Sequence, residues 1–200
     1  MIRRSCVAAV ALAILCSASA PDAQTAPQNC VAIPVPSLRG VDGDATELAT
    51  SVRELADSFL AGPSLRVVPL EARLAVHAVE EARQKECGTL LVITLTRKRS
   101  GGGGGLGRVL GSAANAAAYH TPYGGAAAAA ARSAAVAAAN IASNTRAKDE
   151  WTLEYRLTSV GDGKALRSGS RKKKADADGE DVVTPLAEQM ATEVVTAIIK

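Results

Sequence analysis

Residues 89–120 read TLLVITLTRKRSGGGGGLGRVLGSAANAAAYH. The run from Thr89 to Thr96 is apolar apart from its threonines, the character of a strand buried on both faces, and it leads within a few residues into five consecutive glycines. A strand followed by a glycine-rich turn invites comparison with phosphate-binding loops. Gly102, Gly104 and Gly107 satisfy G-x-G-x-x-G, but a run of glycines satisfies almost any glycine pattern. A dinucleotide-binding unit also needs an acidic residue about 20 positions on to hold the ribose, and residues 126–131 are all alanine. The G-x-x-x-x-G-K-[ST] loop fails too, because Arg108 and Val109 stand where lysine and a hydroxyl residue belong. The stretch therefore reads as the end of a strand that opens a low-complexity insert, and no cofactor is expected.

Working upstream, VAIPVPSL places Val31, Ile33 and Val35 at alternate positions and predicts one short strand, with Pro34 removing a ladder donor. A helix follows: Asp44 and Glu47 have capping-box spacing, Leu48, Val52, Leu55 and Phe59 recur at helical intervals, and Gly62-Pro63 is the stop. LRVVPL (65–70) predicts a second strand, and Leu74, Ala75, Ala78, Val79 and Ala82 mark a second helix over 71–87. Downstream of the insert, EWTLEYRLTSV alternates: Trp151, Leu153, Tyr155 and Leu157 share one face and Thr152, Glu154, Arg156 and Thr158 the other. Asp162-Gly163 is a hairpin signal, making Lys164 to about Arg171 the partner strand. A last helix begins near Thr184-Pro185 with Leu186, Met190, Val194 and Ile198 on one stripe. The predicted fold is an α/β domain with a mixed sheet, in the order β-α-β-α-β-insert-β-β-α.

The first residues, MIRRSCVAAVALAILCSASAPDAQ, have the charged, apolar and small-residue regions of a secretory signal peptide, with cleavage after Ala18, Ala20 or Ala23. The apolar run is shorter than the ~20 residues that span a bilayer. The expected organisation is a signal peptide at 1–23, a short linker at 24–29 and one α/β domain at 30–200, interrupted by a Gly/Ala-rich insert at 101–147. Without the leader the chain keeps 21 basic and 19 acidic side chains, losing Arg3, Arg4 and Asp22. That balance excludes a nucleic-acid partner. Because the insert is almost all small residues, the core is expected from the flanks, 30–100 and 148–200. The insert itself reads either as a loosely helical excursion or, over 106–147, as a small-residue hairpin that touches a membrane or another subunit.

Of four cysteines, Cys30 and Cys87 survive processing, and an oxidising compartment predicts that they form a disulfide. Cys30 stands just before strand one and Cys87 just before strand three. Both crossovers are expected to give parallel strands, so the strand starts share one end of the sheet. A bridge then requires strand one to lie between strands two and three, about 4.8 Å from strand three.

Catalytic signals are thin. Ser170 and Lys173 make a formal S-x-x-K on a hairpin strand, where nothing aims both inward. His77 and His120 are the only histidines, with no metal-ligand spacing. RKKK at 171–174 reads as a charged outer edge that blocks strand-to-strand aggregation, and DADGED at 176–181 as a solvated loop that lacks calcium-loop spacing. If a ligand site exists, the rule for open α/β sheets places it at the carboxyl ends of the strands. There Arg39, Asp42, Asp44, Arg97 and Arg99 form a candidate anion or partner site.

An export signal, then CVAIPVP, an amphipathic helix, LRVVPL, a helix ending KECGTLLVITLTRK, a glycine-rich insert, EWTLEYRL and a terminal helix resemble secreted bacterial proteins of unknown function. The domain is similar to the α/β domain at the N-terminus of the Tol-Pal propeller protein and to the periplasmic domain of the curli secretion channel. The resemblance covers roughly 30–100 and 148–200 and rests on element order. It implies an exported, periplasmic or extracellular domain, not an enzyme, that binds a protein or a cell-envelope component. The alternative is a subunit of an oligomeric, membrane-associated assembly using 106–147.

Overall fold

Alternation and apolar runs dictate a six-stranded mixed sheet. In the structure, a computed structural model, residues 29–41, 45–62, 64–99 and 126–199 are described. The strands are β1 (Asn29–Ile33), β2 (Ser37–Arg39), β3 (Leu65–Pro69), β4 (Thr89–Lys98), β5 (Glu150–Ser159) and β6 (Ala165–Lys174). The helices are α1 (Ala45–Leu60), α2 (Ala75–Gln84), α3 (Ala126–Ser143) and α4 (Val183–Ile198). Strand order is β3-β1-β4-β5-β6, with β2 also on β4. β1 runs parallel to both β3 and β4, whereas β5 and β6 are antiparallel to their neighbours. Strand β1 thus lies between the second and third long strands of the first half, the order expected from the cysteine positions.

The expected single strand at 31–38 is instead two. Pro34 and Pro36 bracket Val35 and remove two ladder donors, so the chain leaves β4 after Ala32↔Leu90 and rejoins it at Ser37↔Thr94. Gly40 then turns away with φ 68°, and a Cβ there would stand 2.2 Å from the Arg97 carbonyl oxygen. Only glycine satisfies both the left-handed backbone and that approach.

Strand pleating sends Val31, Ile33, Leu91, Ile93, Leu95, Trp151, Leu153, Tyr155 and Leu157 to one face, where they pack against Leu48, Val52 and Leu55 of α1 and Leu186, Met190 and Val194 of α4. The core does not come from the flanks alone. Ala137 and Ile141 of α3 are fully buried in this same cluster, so the second half of the Gly/Ala-rich insert is a core helix packed on α1. Small side chains allow that close helix-to-helix approach. Residues 101–125, with Gly102, Gly104, Gly107 and His120, lie outside the described residues.

Among the described residues, the opposite face is only half covered. Helix α2 closes a smaller cluster over Cys30, Ala32, Leu70, Leu90 and Val160, and Cys30 and Cys87 are joined by a disulfide with Cα atoms 4.8 Å apart. Beyond α2, the outward residues of β4, β5 and β6 form an open, polar sheet face. At the outer edge, Gly169 leaves room for the Tyr155 ring, to which a Cβ would come within 2.6 Å. The Tyr155 hydroxyl donates to Glu193 Oε2 of α4 at 2.5 Å, and Arg167 and Arg171 of β6 pair with the same carboxylate.

A cationic pocket at the carboxyl end of the central strand

The phase of β4 decides which of its terminal cations faces the core. Arg97 pairs in register with Trp151 on the helix-covered face, and Lys98 pairs with Glu150 on the open face. Arg97 is 6% exposed. Its Nε donates to Asp149 Oδ2 at 2.7 Å, its Nη2 lies 2.5 Å from the same oxygen, and the guanidinium sits 5.6 Å from the centroid of the Trp151 ring. An arginine neutralised in this way is a core element, so Arg97 leaves the anion site expected from sequence.

Lys98 is followed across the sheet by Glu150 of β5 and Lys174 of β6, in one row. Arg99 and Lys148 complete a pocket of about 190 Å³ lined by Lys98, Arg99, Lys148, Glu150 and Lys174. The next row inward runs Arg39, Thr96, Thr152 and Lys172, so Arg39 lies on the same face as Lys98, one row further in. Lys172 Nζ reaches Glu150 at 3.9 Å. Of the expected set, Arg39 and Arg99 are brought to this end of the sheet, Arg97 is withdrawn into the core, and Asp42 and Asp44 lie outside the described residues.

The loops that carry the pocket are tied down. The Lys148 amide donates to the Ala175 carbonyl at 2.7 Å and the Ala175 amide to the Asp149 carbonyl at 2.8 Å, extending the β5–β6 ladder. The Ala147 amide donates to Asp178 Oδ1 at 2.7 Å, and the Arg146 amide to Asp149 Oδ2 at 2.9 Å. The acidic stretch 176–181 is therefore not simply solvated. Asp178 holds the preceding loop, Asp181 accepts from the Thr184 amide at the start of α4, and Glu180 accepts from the Asp176 amide and pairs with Lys173. Hydrogen bonds from the Asp176 and Ala177 amides, with Lys173 beside it, keep the Glu180 carboxyl ionised to lower pH than usual.

Sequence reasoning missed Lys98, Lys148, Glu150 and Lys174. The alternation around Trp151 carried part of the signal, because it places Glu150 opposite to the buried face; nothing local marks Lys148. Elsewhere, RKKK divides by parity. Arg171 and Lys173 lie toward α4 and are paired with Glu193 and Glu180, while Lys172 and Lys174 lie on the open face. Three positions along a strand reverse the face, so Ser170 and Lys173 point to opposite sides. His77 is exposed on α2 and Cys87 is bonded to Cys30. Among the described residues, no cluster of His, Cys, Asp or Glu is placed to hold a metal ion, and no helix is long and apolar enough to cross a membrane.

No protein-family model matches the chain, and no curated protein matches it. Among solved structures, it is similar to the PelC dodecamer from Paraburkholderia phytofirmans at 12% identity and a TM-score of 0.47, covering 86% of this chain and 87% of that one. The hypothetical protein CT253 from Chlamydia trachomatis gives 9% identity and 0.43, covering 84% and 94%. Lipoprotein GNA1162 from Neisseria meningitidis gives 12% and 0.38, covering 86% and 98%. Likeness at this level assigns neither a function nor an assembly to this chain.

Proposed function

We propose that this chain is an exported, non-enzymatic domain that works at the bacterial envelope by binding a protein or an envelope component, as its resemblance to the Tol-Pal and curli-channel domains implies. The observation that carries the reading is the open sheet face. Thr94, Thr96, Thr152, Glu154, Arg156, Ser168 and Ser170 present a flat polar surface next to the cationic pocket, with no described helix over it. Such a surface suits recognition by side-chain hydrogen bonds better than turnover, which needs a concave site with a nucleophile and a base in reach. The leader grammar of residues 1–23 and the Cys30–Cys87 cystine support an oxidising compartment. The membrane-assembly alternative loses the part of 106–147 that α3 commits to the core.

The test is retention of envelope extract on the immobilised mature chain, compared with Ser170→Trp, which blocks the open face without touching the core. Loss of the retained component in the variant is the expected result. Equal retention by both proteins, or a leader that fails to export a reporter enzyme, overturns the reading.

A further inference from the structure

Several cations of the described residues stand against carboxylates. Arg53 faces Glu71, Lys85 faces Glu81, Arg83 faces Glu80, Arg97 faces Asp149, Arg167 and Arg171 share Glu193, and Lys173 faces Glu180. The pocket at the end of β4 gathers lysines. Lys98, Lys148 and Lys174 line it together with one carboxylate, Glu150, which Lys172 already approaches. Like charges in one pocket repel, and a domain with carboxylates to place gains by dispersing them there.

A second feature singles out Lys148. It holds φ 69°, a left-handed conformation that costs a non-glycine residue of order 1 kcal/mol. Glycine is the residue that fits such a position without cost. The loop around it is fixed by the bonds of Arg146, Ala147 and Lys148 already described, so the ammonium is delivered to the pocket from a rigid base. At about 190 Å³ the pocket is smaller than the roughly 300 Å³ at which drug-sized ligand sites begin. It has room for one substituent of a larger molecule.

Resting on the binding-domain reading above, we infer that this pocket takes a phosphate monoester group, held by Lys98, Lys148 and Lys174. Lysine ammoniums act on phosphate as point charges and need no forked geometry, which suits three separate stems converging from β4, the 144–149 loop and β6. Two sources carry that chemistry: a lipid headgroup and a soluble phosphoryl compound.

The mature, disulfide-bonded chain is titrated at constant ionic strength with pyrophosphate, and separately with phosphatidylcholine vesicles with and without phosphatidic acid. The same titrations use Lys98→Gln, Lys148→Gly and Lys174→Gln. Lys148→Gly removes the charge and relieves the backbone, so its melting temperature is expected to hold or rise, which separates lost binding from lost folding. Each substitution weakens binding about fivefold. Saturable binding of either probe that falls in all three variants supports the site. Vesicles alone identify a lipid source, and pyrophosphate alone or with vesicles a soluble one. Binding of neither probe, or binding that the variants do not weaken, overturns the phosphate site. Retention of an envelope component that persists in that case leaves the binding-domain reading intact.

Discussion

Replacing Asp149 by alanine tests the reason Arg97 belongs to the core. The two side chains are 4% and 2% exposed, and their closest approaches are 2.7 and 2.5 Å. At an effective dielectric of about 20, charges at such a separation attract by about 6 kcal/mol before the cost of removing both from water. Asp149→Ala leaves a buried, uncompensated guanidinium and frees the Arg146 amide; breaking one side of such a pair costs roughly 3–5 kcal/mol. The Trp151 ring returns only about 1 kcal/mol through its face. For a domain stabilised by about 5–15 kcal/mol, that is a large share. Urea unfolding followed by Trp151, the single tryptophan, reads it directly. With a slope near 2 kcal/mol per molar, the midpoint falls by about 2 M. The double variant Arg97→Met, Asp149→Leu recovers at least half of the loss, because no charge is left buried. A single-variant loss below about 1 kcal/mol, the scale of an exposed ion pair, would refute the argument, and so would a double variant less stable than Asp149→Ala.

The insert gives an equally sharp outcome. Ile141→Ala, at a fully buried position, lowers stability by about 2–5 kcal/mol, and excision of 101–147 abolishes cooperative thermal unfolding; a shortened chain that melts as sharply as the parent shows α3 to be dispensable. Free-thiol titration of the unfolded, unreduced mature chain finds no thiol, and reduction costs roughly 4 kcal/mol, since the bridge closes a loop of 57 residues. The third concerns acid. Hydrogen bonds from Tyr155 and then Arg167 hold the Glu193 carboxyl below the ordinary 4.5. Its contribution is therefore complete above that value and is lost as pH falls through the lowered one. Melting temperature against pH shows an acid limb that is shallower in Glu193→Gln; superimposable profiles would remove Glu193 from the acid response.

Much of this fold was legible because its signals are local. Trp151, Leu153, Tyr155 and Leu157 alternate with polar residues, so both the strand and its buried face follow from four side chains. Two cysteines at strand starts carried the strand order, because a bridge tolerates one inter-strand spacing and not two. Strand β4 behaves differently. Its period is plain, but Leu90 to Ile93 is apolar on both faces, so along the chain only Thr94 and Thr96, which share a face with Lys98, hint at which of Arg97 and Lys98 turns inward. Pairing with β5 decides it, by setting Arg97 opposite Trp151.

The same holds for the pocket and for α3. Lys98, Lys148, Glu150 and Lys174 are scattered over three segments, and only the register of β4, β5 and β6 brings them into one place. Helix α3 carries no distinct apolar stripe, since alanine on every side looks alike from sequence, and its burial is conferred by the α1 face against which it packs. Sequence by itself determined the elements whose side chains differ from one face to the other. Where the two faces are alike, the choice fell to tertiary packing, because burial depends on what lies opposite a residue and not on its neighbours in the chain.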